Sequence, residues 1–162
     1  MPAIDIDKDV VAHTMTVTAT FDAPVEQVWS LFDDPRKLER WWGPPTYPAS
    51  VTEHSLTPGG TVRYSMTGPE GDQHFGLWDV VSVDPPTSLE FRDSFADEAG
   101  NVDAQLPTTV NRLTLQERPQ GGTLLTIRTS FESAQDMDQL VAMGVEEGLR
   151  AAMGQMDDVL AA

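Results

Sequence analysis

Histidine is the side chain that most often performs acid–base or metal chemistry near neutral pH, and the sequence has three: His13, His54 and His74. They fall on different predicted elements, and no two lie within one helical turn of each other. The HExxH spacing that binds zinc from one helix face does not occur, so we expect no metal site. No catalytic residue is assigned, although His74 is kept as a candidate acid or base.

Other sequence motifs that carry chemistry are also missing. There is no GxSxG elbow for a serine hydrolase and no GxxxxGK[ST] loop for a nucleotide phosphate. The chain has no cysteine, which excludes disulfides, thiolate catalysis and zinc sites built on cysteine. We therefore expect no cofactor.

Carboxylates on predicted strands are a second source of acid–base chemistry. Asp79, Glu90, Asp93 and Glu117 each stand among apolar neighbours. A carboxyl group that faced an apolar cavity would have a raised pKa and could act as an acid or base. Alternatively, each points outward on a solvated sheet face, as alternation indicates for Glu90. The sequence leaves both alternatives open.

Aromatic and methionine side chains are placed as if to line a cavity, because several share strand faces opposite a helix that carries Gly144, Gly148 and Gly154. Glycines on such a helix leave space, and a few polar tips among large apolar surfaces are typical of a small-molecule pocket. The predicted lining is Trp41, Trp42, Tyr47, Tyr64, Met66, His74, Trp78, Met137, Val141, Val145 and Met153. The alternative is a filled core in which glycines allow close packing.

The elements that must position these residues follow from hydrophobic periodicity and turn chemistry. Period-two alternation and bounding turns predict strands over residues 11–21, 50–55, 61–67, 73–83, 88–95, 108–117 and 123–131. Two short helices follow the first strand, and residues 96–107 form a loop. Ser133 begins a long C-terminal helix of roughly 35 Å. This order predicts an α+β fold in which an antiparallel sheet curls around the C-terminal helix.

Length and charge limit the classes of partner. The 162 residues fit a single domain, with residues 1–10 as a loose N-terminal arm. A formal net charge of −16 argues against nucleic acid and anionic membranes as partners. Neither a transmembrane stretch nor a signal peptide is visible, so we expect a cytoplasmic protein. The acidity fits either a high-salt cytoplasm or an arginine-rich genome composition.

Several segments together resemble the activator of heat-shock protein 90 ATPase-like family, in the SRPBCC (START-like, helix-grip) superfamily. The resemblance spans residues 13–161 and is carried by residues 21–29, 34–35, 41–44, 58–60, 76–78, 84–89 and 122–123. It implies a helix-grip fold with about six or seven strands, two short helices after the first strand, and a deep pocket between the sheet and the last helix. Superfamily members bind lipids, polyketides, hormones or aromatic compounds there. Gly144-Val145 replaces the Gly-Trp pair of many relatives, which implies a larger or altered cavity.

Three functions follow from the residues and the resemblance. The first is binding of a hydrophobic or aromatic small molecule in the cavity, without catalysis. The second is a cyclase, hydratase or hydrolase that uses His74 or an inward carboxylate. The third is regulation of a heat-shock chaperone ATPase, which we expect least because co-chaperones of this type carry a second domain. The resemblance also implies a homodimer as one candidate assembly. Two chains that each carry a net charge of −16 would repel each other, which opposes a dimer.

Overall fold

An antiparallel sheet of eight strands forms the frame of the part of the chain that is described, residues 3–161 of a computed structural model. The strand order across the sheet is β1-β2-β8-β7-β6-β5-β4-β3. The elements are β1 Ala3–Asp9, β2 Thr14–Phe21, α1 Val25–Asp33, α2 Pro35–Trp42, β3 Ala49–His54, β4 Thr61–Thr67, β5 Gln73–Asp84, β6 Ser88–Ala96, β7 Thr109–Glu117, β8 Thr123–Ser130, α3 Ala134–Ala142, α4 Val145–Met153 and α5 Met156–Ala161. The predicted α+β helix-grip fold is confirmed, with eight strands instead of six or seven.

The additional strand is β1, so the expectation of a loose N-terminal arm was wrong for residues 3–9. It pairs with β2 from Ala3 opposite Thr20 to Asp9 opposite Thr14. Ile4 and Ile6 are half-buried and pack against the core. Two isoleucines among acidic residues give a weak alternating pattern, and only pairing with β2 makes this segment a strand. Residues 1 and 2 of the predicted arm lie outside the described residues.

The C-terminal helix is not continuous, which corrects the prediction of one long helix. Its start is as predicted, since the Asp136 N–H donates to the Ser133 side chain at 3.1 Å. The helix breaks at Gly144, whose φ of 89° is left-handed, and again at Gly154 and Gln155. A left-handed glycine ends a helix at little cost. The apolar repeat continues across both breaks, so hydrophobic periodicity alone does not reveal them. None of the helices in residues 3–161 is long and apolar enough to cross a membrane.

The two short helices are fixed to each other, and this orientation matters for the site. Asp34 caps α2 by accepting from the Arg36 N–H at 2.9 Å, and Pro35 begins that helix. The Trp41 indole N–H then donates to the Leu31 carbonyl of α1 at 2.8 Å. Consecutive helix residues point about 100° apart, so Trp42 faces the sheet instead.

Candidate functional site

A cavity of about 410 Å³ lies between the inward face of the sheet and the helices. Its wall is mostly aromatic and aliphatic. Strands β2 and β4 to β8 supply one side, and α1 to α4 supply the other. Exposed Met143 and His74 lie at its mouth. The sheet and the helices thus leave space where a filled core would have none.

Six of the eleven residues predicted for the lining are in the cavity wall. They come from α2, the following loop, β4, β5 and α4, which the sequence places far apart. They are Trp42, Tyr47, Tyr64, Met66, His74 and Val145. Their role in binding stays a prediction.

The other five predicted residues do not line this cavity. Trp41, Trp78 and Met153 are fully buried in the core, and Met137 is 3% exposed. Val141 is half-buried and packs against the core. The predicted lining treats its members as cavity-facing, whereas these five residues pack into the core or against it. They are therefore core residues.

Trp78 lies outside the lining because another aromatic ring covers it. Phe91 stacks on Trp78 with the ring centroids 3.9 Å apart and the planes 20° from parallel. Phe91 itself lines the cavity. The sequence assigned Trp78 to the correct strand face, but the depth of a side chain on that face depends on its cross-strand neighbours.

A hydrogen-bonded Tyr64–Asp93 pair is the principal polar feature of the wall. The Tyr64 hydroxyl donates to Asp93 Oδ1 at 2.8 Å. Tyr64 lies opposite Gly76 in the β4–β5 pairing, and a Cβ at position 76 would collide with the Tyr64 ring. Gly76 therefore makes room for the tyrosine that reaches Asp93.

Desolvation controls the protonation of this pair. It raises the pKa of Asp93 to about 7, and the hydrogen bond from Tyr64 opposes that rise. It also raises the pKa of Tyr64 well above its usual range, with the Asp93 charge adding to the effect and Trp42 opposing it. The buried Trp42 indole N–H has no hydrogen-bond partner among residues 3–161. Asp93 is thus a carboxyl group that changes protonation near neutral pH.

A second polar cluster crosses β7 and β8 on the same face. The Thr129 hydroxyl donates to Asn111 Oδ1 at 2.7 Å, and Asn111 Nδ2 donates to Thr109 Oγ at 3.0 Å. All three side chains line the cavity, and all three residues are buried. Their mutual hydrogen bonds satisfy much of their polarity.

The histidines do not converge in this structure. His74 is at the mouth with 66% of its side chain exposed, and its Nε2 is 3.4 Å from Asp72 Oδ2. Tyr47 donates to the same carboxylate oxygen at 2.7 Å, which lowers the pKa of Asp72. His54 hydrogen-bonds the Phe32 carbonyl at 2.9 Å, away from the cavity wall. Among the described residues, no group of three or more histidines and acids is placed to hold a metal ion.

Of the four strand carboxylates, Asp93 is the one that faces the cavity. Asp79 and Glu117 are exposed, and Glu90 points outward to Arg112 with 3.6 Å between Oε1 and Nη1. The prediction for Glu90 is therefore confirmed. The same period-two argument assigns Asp93 to the face of Phe91, so the signal was present for adding this candidate carboxylate to the predicted lining, which missed it.

The polar residues on β7 and β8 were also missed, although alternation could have found them. Thr109 and Asn111 share the parity of the buried Leu113 on β7. Thr129 shares that of Ile127 on β8. Threonine and asparagine on an apolar strand face mark positions where polar groups are buried and must find partners.

Comparison with known proteins shows a family and close structural relatives. The sequence model for the activator of Hsp90 ATPase homolog 1-like protein matches residues 22–161. Protein Ms6760 from Mycobacterium smegmatis has 43% identity and a TM-score of 0.90, covering 98% of this chain and 97% of that chain.

A protein from Arthrobacter aurescens has 44% identity and a TM-score of 0.92, covering 97% of this chain and 91% of that chain. A protein from Staphylococcus epidermidis has 26% identity and a TM-score of 0.83, covering 96% and 93%. No protein with a curated description matches. Each of these three structures matches the fold of this chain over nearly its whole length.

Proposed function

Since the chain belongs to the activator of Hsp90 ATPase homolog 1-like family, we propose that it binds a hydrophobic or aromatic small molecule in the cavity. The observation that carries the proposal is the cavity itself. Its volume of about 410 Å³ falls within the range of about 300–1,000 Å³ typical of ligand sites. A mostly apolar wall with a few convergent polar groups is the usual composition of such sites.

The wall provides both affinity and orientation. Aromatic rings from Trp42, Tyr64 and Phe91 offer large apolar surfaces, and burial of apolar ligand surface against them is favourable. The Tyr64–Asp93 pair and the Asn111 cluster provide polar groups at defined positions. A ligand that is mainly apolar with a small polar group would satisfy both parts of the wall.

Gly148 allows a direct test, because it lines the cavity and a Cβ there would meet no atom within 4 Å. We expect Gly148→Leu to fill the cavity and to weaken binding of N-phenyl-1-naphthylamine, an uncharged fluorescent probe, at least about tenfold. The melting temperature should not fall, because leucine is a better helix former than glycine. Fluorescence titration and thermal unfolding measure the two quantities.

The matched control is Ala151→Leu, an exposed position on the same helix. It adds a leucine to α4 without entering the cavity, so probe affinity should stay as in the unaltered protein. Equal affinity in Gly148→Leu and Ala151→Leu would mean that the probe binds elsewhere. If Gly148→Leu alone weakens probe binding, displacement of the probe by fatty acids, steroids and aromatic polyketides identifies the ligand class.

Acid–base catalysis in the same cavity is a second candidate, favoured by the raised pKa of Asp93. A general acid or base works best when its pKa is near the working pH, and such groups contribute about 10²–10⁴-fold to a rate. For any displacing compound that the protein converts, we expect Asp93→Asn to lower kcat at least about 100-fold. Asp79→Asn, an exposed carboxylate of β5, should leave kcat unchanged. Equal kcat in both variants would reject the role.

A further inference from the structure

Two chains of hydrogen bonds end beside each other in the cavity wall. One runs from the Tyr64 hydroxyl to Asp93 Oδ1 at 2.8 Å. The other runs from Thr129 through Asn111 to Thr109, with distances of 2.7 and 3.0 Å. The β6–β7 pairing places Asp93 directly opposite Thr109. Both chains of hydrogen bonds therefore end at the cross-strand pair of Asp93 and Thr109.

The direction of the second chain leaves a donor unused at Thr109. A hydroxyl group has one proton to donate and two lone pairs that accept. Thr109 Oγ accepts from Asn111 Nδ2, and within residues 3–161 its own proton has no side-chain acceptor. Thr109 lines the cavity, so this O–H can be donated to a bound molecule.

The first chain leaves a donor at Asp93 in the same way. The Tyr64 proton is directed to Oδ1, while Oδ2 has no hydrogen-bond partner in the described part of the chain. Because Oδ1 already accepts the Tyr64 proton, the proton of a neutral Asp93 is left on the other oxygen. A neutral Asp93 therefore carries its proton on Oδ2, and Asp93 is part of the cavity wall. Carboxylic acids kept neutral by an apolar site donate hydrogen bonds in this manner.

We propose that Asp93 and Thr109 form a two-donor site for one carbonyl oxygen of an uncharged, otherwise apolar ligand. This inference rests on the binding function proposed above and specifies its ligand class. Directly opposed strand residues have Cβ atoms about 4.5–5.5 Å apart, which lets one oxygen lie within hydrogen-bond distance of both donors. A carbonyl oxygen has two lone pairs and can accept from both.

The helix side of the wall provides no charged side chain to pair with a charged ligand. The parts of α3 and α4 that face Asp93 are uncharged: Leu140, Met143, Val145, Gly148 and Leu149. The titratable side chains in the wall are Tyr47, Tyr64, His74 and Asp93, and Asp72 lies beside the mouth. Because burying a charge in an apolar site costs much more than burying a carbonyl group, an uncharged ligand fits best.

The proposal predicts a specific pH dependence. Protonated Asp93 donates from Oδ2, and ionised Asp93 cannot. Since its pKa is raised to about 7, affinity for a carbonyl compound should be full below pH 6 and should fall as the pH rises through 7. An amine would behave in the opposite way, because its ammonium group needs the ionised carboxylate.

Three naphthalene derivatives of matched shape test this: 2-acetylnaphthalene, 2-ethylnaphthalene and 1-(2-naphthyl)ethylamine. Equilibrium dialysis at pH 5.5 and 8.5 measures their affinities. We expect the ketone to bind about tenfold tighter than the ethyl compound at pH 5.5 and about threefold tighter at pH 8.5. The affinity for the ethyl compound should be the same at both pH values.

Two substitutions assign the effect to the two donors. Thr109→Val removes the hydroxyl at nearly constant volume and should reduce the ketone's advantage about threefold at both pH values. Asp93→Asn keeps an N–H donor and cannot ionise, so the ketone's pH dependence should disappear. Because His74 is another ionisable side chain of the cavity wall, His74→Gln is measured as well. Loss of the pH dependence in His74→Gln but not in Asp93→Asn would overturn the proposal.

The possible results separate the two proposals. Equal binding of ketone and ethyl compound, blocked by Gly148→Leu, would overturn the two-donor site and leave the binding function standing. Tightest binding of the amine at pH 8.5 would also overturn it, in favour of a cationic ligand. No binding of any of the three would contradict both proposals for aromatic ligands of this size.

Discussion

Asp93→Asn should stabilise the protein more at pH 8 than at pH 4. The change in the free energy of unfolding caused by the substitution should differ by up to about 4 kcal/mol between the two pH values. In the folded protein desolvation raises the pKa of Asp93 from 3.8 to about 7. Each unit of difference between the folded-state and unfolded-state pKa corresponds to about 1.4 kcal/mol of stability, so the whole pKa difference corresponds to about 4 kcal/mol. Water in the cavity would solvate the carboxylate and reduce this amount.

The sign follows from proton counting. Between pH 4 and 7 the unfolded chain has released the Asp93 proton while the folded protein still holds it, so rising pH favours unfolding. Above pH 7 Asp93 is ionised in both states, and the destabilisation that it causes stays constant. Below pH 4 Asp93 is protonated in both states, and this destabilisation vanishes. Asparagine cannot ionise, so the variant avoids this loss.

Urea denaturation from pH 4 to 8 checks the prediction by comparing the variant with the unaltered protein. Asp72, Asp97 and Glu146 have pKa values lowered by hydrogen bonds, and they make stability fall as the pH is lowered. Because both proteins share these groups, the difference between their curves isolates Asp93. Asp79→Asn should run parallel to the unaltered protein. A constant difference between Asp93→Asn and the unaltered protein would refute the raised pKa.

Gly76→Ala should destabilise the protein by about 3 kcal/mol, because the new methyl group occupies the space of the Tyr64 ring. Moving that ring breaks its hydrogen bond to Asp93 and leaves a half-buried carboxyl group without a donor. Trp42 contacts Tyr64 edge to face with the ring centroids 5.6 Å apart, so tryptophan emission should change as well. Denaturation and fluorescence spectra measure the two effects.

A double-mutant cycle distinguishes the collision with Tyr64 from a general strand defect. In a Tyr64→Ala background the ring is gone, and Gly76→Ala should then cost less than about 1 kcal/mol. The coupling between the two positions should therefore be about 2 kcal/mol. Additive effects would show that the cost arises from the β5 backbone and not from Tyr64.

The cavity wall contains features that destabilise the folded protein. A carboxyl group in an apolar wall, an unpartnered Trp42 N–H and an open cavity each lower the stability of the folded state. Filling the space at Gly148 should stabilise the protein and impair binding, and Asp93→Asn should stabilise the protein and abolish the acid–base function of the site. Opposite effects on stability and function are expected where a protein keeps a strained or incompletely paired site.

Much of the sheet could be predicted from the sequence because alternation is a local property. Strands β4 to β8 lie within one or two residues of their expected bounds, and the inward faces of β4 and β5 are those predicted. The same periodicity indicated that Glu90 faces outward, and it would have placed Asp93 inward. A side chain's face depends only on its own strand, so it can be derived without tertiary contacts.

Depth and contact were decided by the tertiary structure. Trp41 and Trp42 are adjacent in sequence, yet the bond from Trp41 to Leu31 directs one into the core and leaves the other for the cavity. Met137, Val141 and Met153 pack into the core or against it, although they belong to the predicted apolar stripe, which runs unchanged through the break at Gly144. A helical stripe fixes relative directions only while the helix is continuous.

Periodicity and turn chemistry by themselves determined the fold class and the aromatic character of one sheet face. Only the tertiary structure decided that Asp93 stands opposite Thr109, within reach of Tyr64. The physical reason is that strand register across a loop depends on pairing between distant segments. A period of two assigns each residue a face but not a partner.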